Sequence, residues 1–313
     1  MNLYQEQVME WLLQGDPAIR WQVLRDLLDA PEAEWGAERQ KTASQGWGAA
    51  FLSHQAQDGL WGGGVYSPKW ISSTYTLLSL AEIGLPQDQP AARRGLGIVL
   101  DAFFGPPGDA RFNQRLAGLD LCITGMALRL GTYFQLADAR FQELPPHLLK
   151  TQMADGGWNC RLGRDKDVHH SSFHTTLNVL EGIREVLETG NSPWQAELGQ
   201  AEARALELLL QHRLYRSSRT GEVISEKFLR FSHPTRWFYT IFRALDTFQR
   251  AGAARDERLA EAIQILKAKQ LKDGCWPVQY RHSGLRFFDM EKAGQPSRWN
   301  TLRALRILRW WEG

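Results

Sequence analysis

The sequence predicts an all-α protein of six helical hairpins, on three observations. The phrase Gln-x-x-Asp-Gly-x-Trp occurs three times, at Gln55–Trp61, Gln152–Trp158 and Gln270–Trp276. Each copy closes a helix-patterned apolar run, turns on Asp-Gly and leads through a polar loop into a second apolar run, and the gaps between copies each hold two hairpins of roughly 50 residues. β-Branched runs with period-two alternation are almost absent.

The first hairpin pairs Tyr4–Gln14 with Ala18–Asp29 across Gly15-Asp16-Pro17, where Asp16 is placed to cap the second helix and Pro17 to occupy its first turn. This unit fills residues 1–35, and the repeats run from 46 to 313. Their second helices open at Ser73-Thr74-Tyr75-Thr76, Asp120-Leu121-Cys122-Ile123-Thr124, Ser172-Phe173-His174-Thr175, Trp237-Phe238-Tyr239-Thr240 and Trp299-Asn300-Thr301. Aligned there, Tyr75, Ile123, His174, Tyr239 and Asn300 share one column, each followed by Thr. Five different side chains in one column imply a scaffold that repeats around a site that does not. An array of this kind escapes the size limit of a single compact core, so one domain over 1–313 is expected.

Composition narrows the function classes. A net charge of +2 with scattered basic residues gives no electrostatic basis for nucleic-acid binding. No apolar stretch approaches the ~20 residues needed to span a bilayer, so the chain is expected not to be transmembrane, with peripheral membrane contact left open. Without a basic region and apolar segment at its start it reads as cytoplasmic. Three scattered cysteines, Cys122, Cys160 and Cys275, form no disulfide framework. Thirteen Trp either fill a core, line a large pocket, or both.

The repeated phrase is similar to the QW repeats of squalene-hopene and oxidosqualene cyclases, and the hairpin series resembles the terpenoid cyclase and protein prenyltransferase superfamily. The resemblance implies an α/α toroid, with six inner helices around a central cavity, six outer helices around them, and the inner-helix N termini converging on one mouth. The family's Asp-x-Asp-Asp acid is absent, and within the repeats from 46 to 313 Asp120 is the only carboxylate at an inner-helix start. Prenyltransferase β subunits hold zinc with an Asp-x-Cys pair and a His. Here Asp273-Gly274-Cys275 meets Asn300 where the His belongs, while His174 meets Asp155-Gly156-Gly157, which has no Cys. Each hairpin carries half a site.

Residues Trp158–Thr175 are chemically the richest stretch. His170 and His174 share a helix face if the helix begins by Ser171, and with Cys160, or with Asp155 in its place, they form the candidate metal set, zinc being the cofactor they would suit. The other reading makes His174 a hydrogen-bonding wall residue and His170 a cap. Asp120, His174 and Asp289 are the acid–base candidates. A second group alternates aromatic and basic residues through Arg230, His233 and Trp237, and with Tyr75, His170, Tyr239, Trp299 and Asn300 it supplies the substrate-binding candidates. This suits an apolar small-molecule ligand with an anionic head group at helix N termini.

Two further classes stay open beside an isoprenoid-transforming enzyme. One is a non-catalytic lipid-binding protein or partner-dependent subunit, with no partner surface identified. The other is a carbohydrate-active α/α enzyme, in which two carboxylates flank a bond. The cavity wall discriminates: paired acids with exposed Trp point to a sugar, mostly apolar walls with one charged end to an isoprenoid.

Overall fold

The computed structural model describes residues 3–313, and it is mostly helical. Six helices are the second members of hairpins: α2 (Pro17–Asp26), α5 (Ser73–Glu82), α8 (Leu121–Tyr133), α10 (Phe173–Thr189), α12 (Ile241–Arg250) and α14 (Arg298–Glu312). Their partners are α1 (Leu3–Leu13), α4 (Gly46–Ser53), α6 (Pro90–Phe104), α9 (Leu144–Lys150), α11 (Gln195–Gln211) and α13 (Ala260–Ala268). Two connecting helices, α3 (Glu32–Gln40) and α7 (Phe112–Gly118), complete the α-helical set. The only ladder among the described residues is a two-residue antiparallel pairing in which Trp276 faces Ser297 and Pro277 faces Pro296.

Each second helix begins on an Asp, Ser or Thr: Asp16, Ser72, Asp120, Ser172, Thr240 and Ser297. Four of these side chains accept a hydrogen bond from an N–H of the first turn, those of Asp16, Ser172, Thr240 and Ser297. Pro17 stands at the start of α2, as the sequence predicts. These caps correct the aligned column. Thr240 is itself a cap, so Tyr239 precedes α12, and Arg243 holds the position that Tyr75 holds in α5. In α10 the equivalent residue is Thr175 rather than His174. The sequence motif misaligned these two because aromatic residues flank both helix starts and only the capping geometry fixes the register.

The repeated phrase makes the same bonds wherever it occurs. The indole N–H of Trp61, Trp158 and Trp276 donates to the carbonyl ten residues earlier, of Phe51, Leu148 and Leu266, at 2.8, 2.8 and 2.7 Å. Their backbone N–H groups donate to a hydroxyl of the following helix, of Ser73, Thr176 and Thr301. Gln55, Gln152 and Gln270 donate across the turn to the carbonyls of Gly59, Gly156 and Gly274. These glycines have φ of 89°, 97° and 81°, which explains why Gly follows Asp in every copy. Gln55 and Gln152 also reach a helix of the next unit, α6 at the Ala91 carbonyl and α11 at the Ala201 carbonyl. The phrase thus ties the first helix of its hairpin to the second, and in the first two copies to the next unit as well.

The second helices contact one another in series. α5 packs on α8, α8 on α10, α10 on α12, α12 on α14 and α14 on α2, and the Trp21 indole donates to the Ile83 carbonyl at the end of α5. α8 and α10 approach backbone to backbone, since a Cβ on Gly182 would lie 2.4 Å from the Gly125 carbonyl oxygen. Contacts between the chain's two ends include Arg298 Nε to the Trp11 carbonyl at 2.9 Å and Arg306 to Asp26 at 2.9 Å. The buried apolar side chains form one continuous cluster from Val8 to Ile307.

Candidate functional site

A cavity of about 820 Å³ is lined by residues of all six second helices. The ninth residue after each cap contributes without exception: Arg25, Ala81, Arg129, Glu181, Gln249 and Arg306. One layer of the repeat therefore supplies six positions around one space, and six helices fill them with charged, polar and small side chains.

The wall is strongly charged. It carries nine arginines (25, 39, 129, 236, 243, 250, 303, 306 and 309) against six carboxylates (Asp26, Glu82, Glu181, Glu185, Glu188 and Asp246). Two ion-pair networks brace it. Glu181 on α10 accepts from Arg243 at 2.5 Å and Arg129 at 2.8 Å. Burial by itself would raise the Glu181 carboxyl, but Arg243 and Arg129 outweigh it and bring the pKa down to about 2. On the other side Asp246 on α12 meets Arg303 and Arg306 at 3.3 Å, and Arg306 continues to Asp26.

The two ends of the cavity differ. At the helix C termini its lining residues Arg25, Glu188 and Arg309 are exposed; at the N termini Tyr75, Thr235, Trp299 and Arg303 are buried. The opening is thus at the C termini, opposite to the mouth expected from the sequence. Loops from distant hairpins cover the N-terminal end: Trp70 donates its indole N–H to Ser283 O at 2.7 Å and its backbone N–H to Leu285 O at 3.0 Å. Aromatic rings fill the cover, Phe238 stacking on His282 at 4.3 Å and His233 on Trp299 at 4.9 Å. Arg25, Arg250 and Arg309 sit in last turns, where a cation complements the negative helix end.

At the buried end several donor groups lack acceptors. Arg303 is 3% exposed, and its Nε and Nη1 have no hydrogen-bond partner among the described residues; neither does the Trp299 indole N–H or the Tyr75 hydroxyl. Arg236 makes no ion pair among the described residues and lies over the Trp70 ring at 5.5 Å. Burial draws its pKa down to about 10, with Glu82 opposing.

The sequence-derived candidates scatter across several places. Tyr75 and Trp299 line the buried end of the cavity. His174, Trp237 and Tyr239 meet in the aromatic cover, with ring centroids of His174 and Trp237 5.1 Å apart. His174 Nδ1 accepts the Tyr239 backbone N–H at 2.8 Å, which identifies Nδ1 as the unprotonated nitrogen. Burial, with the nearby Arg243 charge, lowers the His174 pKa to about 4. His233 is buried between Trp47 and Trp299, and desolvation holds it well below its ordinary pKa. Asn300 is buried and donates to the Pro277 carbonyl. Arg230 and His170 are exposed, and Asp289 is exposed and ion-paired with Arg281 and Arg286.

Cys160 comes together with Cys122 and Asp120, their ligating atoms all within 4.8 Å of one another. His170 and His174 are not in that group. The Asp273 carboxylate accepts the Cys275 backbone N–H at 3.0 Å, and Asn300 stands beside the same turn, so the prenyltransferase-type half-site there acquires no third metal-binding side chain. The cavity charges are the residues that reading the sequence missed. Glu181, Glu185 and Glu188, and likewise Arg303, Arg306 and Arg309, recur at helical spacing, a signal that ordinarily marks a solvated face.

Comparison with protein-family models, curated proteins and solved structures finds no match to this chain.

Proposed function

We propose that the six hairpins form an α/α toroid whose central cavity binds a small, hydrogen-bonding molecule carrying an anionic group. The observation that carries this reading is the set of acceptor-free donors at the buried end, on Arg303, Trp299 and Tyr75, together with the unpaired Arg236. Buried donors without acceptors are costly, roughly 1–3 kcal/mol each. A carboxylate, sulfate or phosphate satisfies several at once. The N termini of α5 and α14 add partial positive charge at that end.

The remaining wall, charged and polar on all six helices, favours a polar body over an isoprenoid tail. Of the classes left open by the sequence, a carbohydrate-type ligand with an acidic group fits best. The terpenoid cyclase and prenyltransferase resemblance then bears on architecture, not on substrate, since one fold hosts many chemistries.

The test is a thermal-shift and calorimetric comparison of glucuronate, glucose 6-phosphate, glucose and farnesyl diphosphate. Glucuronate or glucose 6-phosphate is expected to stabilise the protein more than glucose, and Arg236→Gln to weaken that binding by about tenfold or more, the loss of one charge-assisted contact. Tighter binding of farnesyl diphosphate than of inorganic diphosphate would return the ligand to the isoprenoid class.

A further inference from the structure

Outside the central cavity, the start of α8 and the loop before α10 bring together Asp120, Cys122 and Cys160, with all ligating atoms within 4.8 Å. We propose that these three side chains bind a zinc ion, through the Cys122 and Cys160 sulfurs and one Asp120 oxygen, leaving a fourth position open. None of the three lines the cavity, so the site is independent of the anion-binding reading.

Four features of the cluster suit a metal thiolate. Two sulfurs and one carboxylate are a donor set that zinc accepts, and three protein ligands with a free fourth position is the pattern of sites that present the metal to a further ligand. The Cys160 sulfur already receives two donors, the Cys122 backbone N–H and the Thr175 hydroxyl, each at 3.3 Å. Such donors favour the thiolate and orient its lone pairs, the supporting role that outer groups play around metal ligands. Asp120 occupies the cap of α8, yet its carboxylate accepts no helix N–H. It is turned toward the cysteines and toward Arg164, which holds Oδ1 at 2.6 Å.

Binding replaces two S–H bonds with two Zn–S bonds and releases two protons to solvent, so affinity rises with pH until both thiols are ionised. The ion joins the first turn of α8 to the 158–172 loop, two segments joined there by Arg164 and the sulfur hydrogen bonds.

The experiment uses the full chain, reduced and freed of metal, titrated with Co²⁺ and then with Zn²⁺. Expected are intense sulfur-to-cobalt charge-transfer bands at one equivalent, displaced by Zn²⁺. Cys122→Ser and Cys160→Ser should each weaken metal binding more than about 100-fold, beyond what a supporting residue contributes, while Cys275→Ser leaves the bands unchanged. If a serine variant fails to fold, thiol labelling of the unaltered protein decides: Zn²⁺ should protect Cys122 and Cys160 together from an alkylating reagent. Absence of the bands with both thiols reactive in the presence of Zn²⁺, or bands that persist in both serine variants, overturns the proposal.

Discussion

The junctions built on the repeated phrase and the wall of the central cavity are made from the same helices, yet they obey opposite rules. At the junctions Trp61, Trp158 and Trp276 make the same two backbone bonds three times, each indole to a carbonyl ten residues back. In the cavity the equivalent positions carry Arg25, Ala81, Arg129, Glu181, Gln249 and Arg306. The difference separates scaffold from site: repetition persists where every unit must solve one packing problem, and it ends where side chains face a shared space. Ion pairs within the wall run between units, as when Glu181 of one hairpin pairs with Arg129 and Arg243 of its two neighbours.

The largest expected effect is at Glu181. Glu181→Gln leaves Arg129 and Arg243 without their shared carboxylate and should cost about 3–5 kcal/mol in urea unfolding, the range for breaking a buried pair. The same residue governs acid sensitivity. Its carboxyl titrates near 4.5 in the unfolded chain and about 2 in the fold, so its contribution is complete above pH 4.5 and is lost as pH falls toward 2. Unfolding free energy measured between those values should fall less steeply in Glu181→Gln than in the unaltered protein.

The junctions should respond alike. Trp61→Phe, Trp158→Phe and Trp276→Phe each remove one buried hydrogen bond from a carbonyl that keeps a second donor, His54 N–H, Thr151 Oγ1–H and Lys269 N–H in turn, for a loss of about 0.5–1.5 kcal/mol, plus a packing loss common to all three. Denaturation midpoints that scatter widely among the three would break the equivalence. The smallest difference lies in the glutamines. Gln55 and Gln152 make bonds to a helix of the next unit that Gln270 lacks, so Gln55→Ala and Gln152→Ala should exceed Gln270→Ala by about 0.5–1.5 kcal/mol.

The hairpins were legible because their cues are local. Asp-Gly turns need a glycine at positive φ, Asp16 and Pro17 mark a helix start, and the apolar runs have helical period. Site residues were only partly legible. Tyr75 and Trp299 reach the cavity, but His174 is held by the Tyr239 backbone, and Arg230, His170 and Asp289 lie exposed. A stripe such as Arg303, Arg306 and Arg309 reads as a solvated face, and nothing in one helix shows that five others enclose the same space.

By itself, then, the sequence determined a mostly helical chain, the helix starts at its caps and the repeated joints, since each depends on residues near one another along the chain. Tertiary structure decided which helix faces line the cavity, which end opens, and that Cys160 meets Cys122 and Asp120 in place of the histidines. Those outcomes depend on contacts between elements far apart in sequence, such as Trp70 with Ser283 and Arg306 with Asp26, which no local pattern encodes.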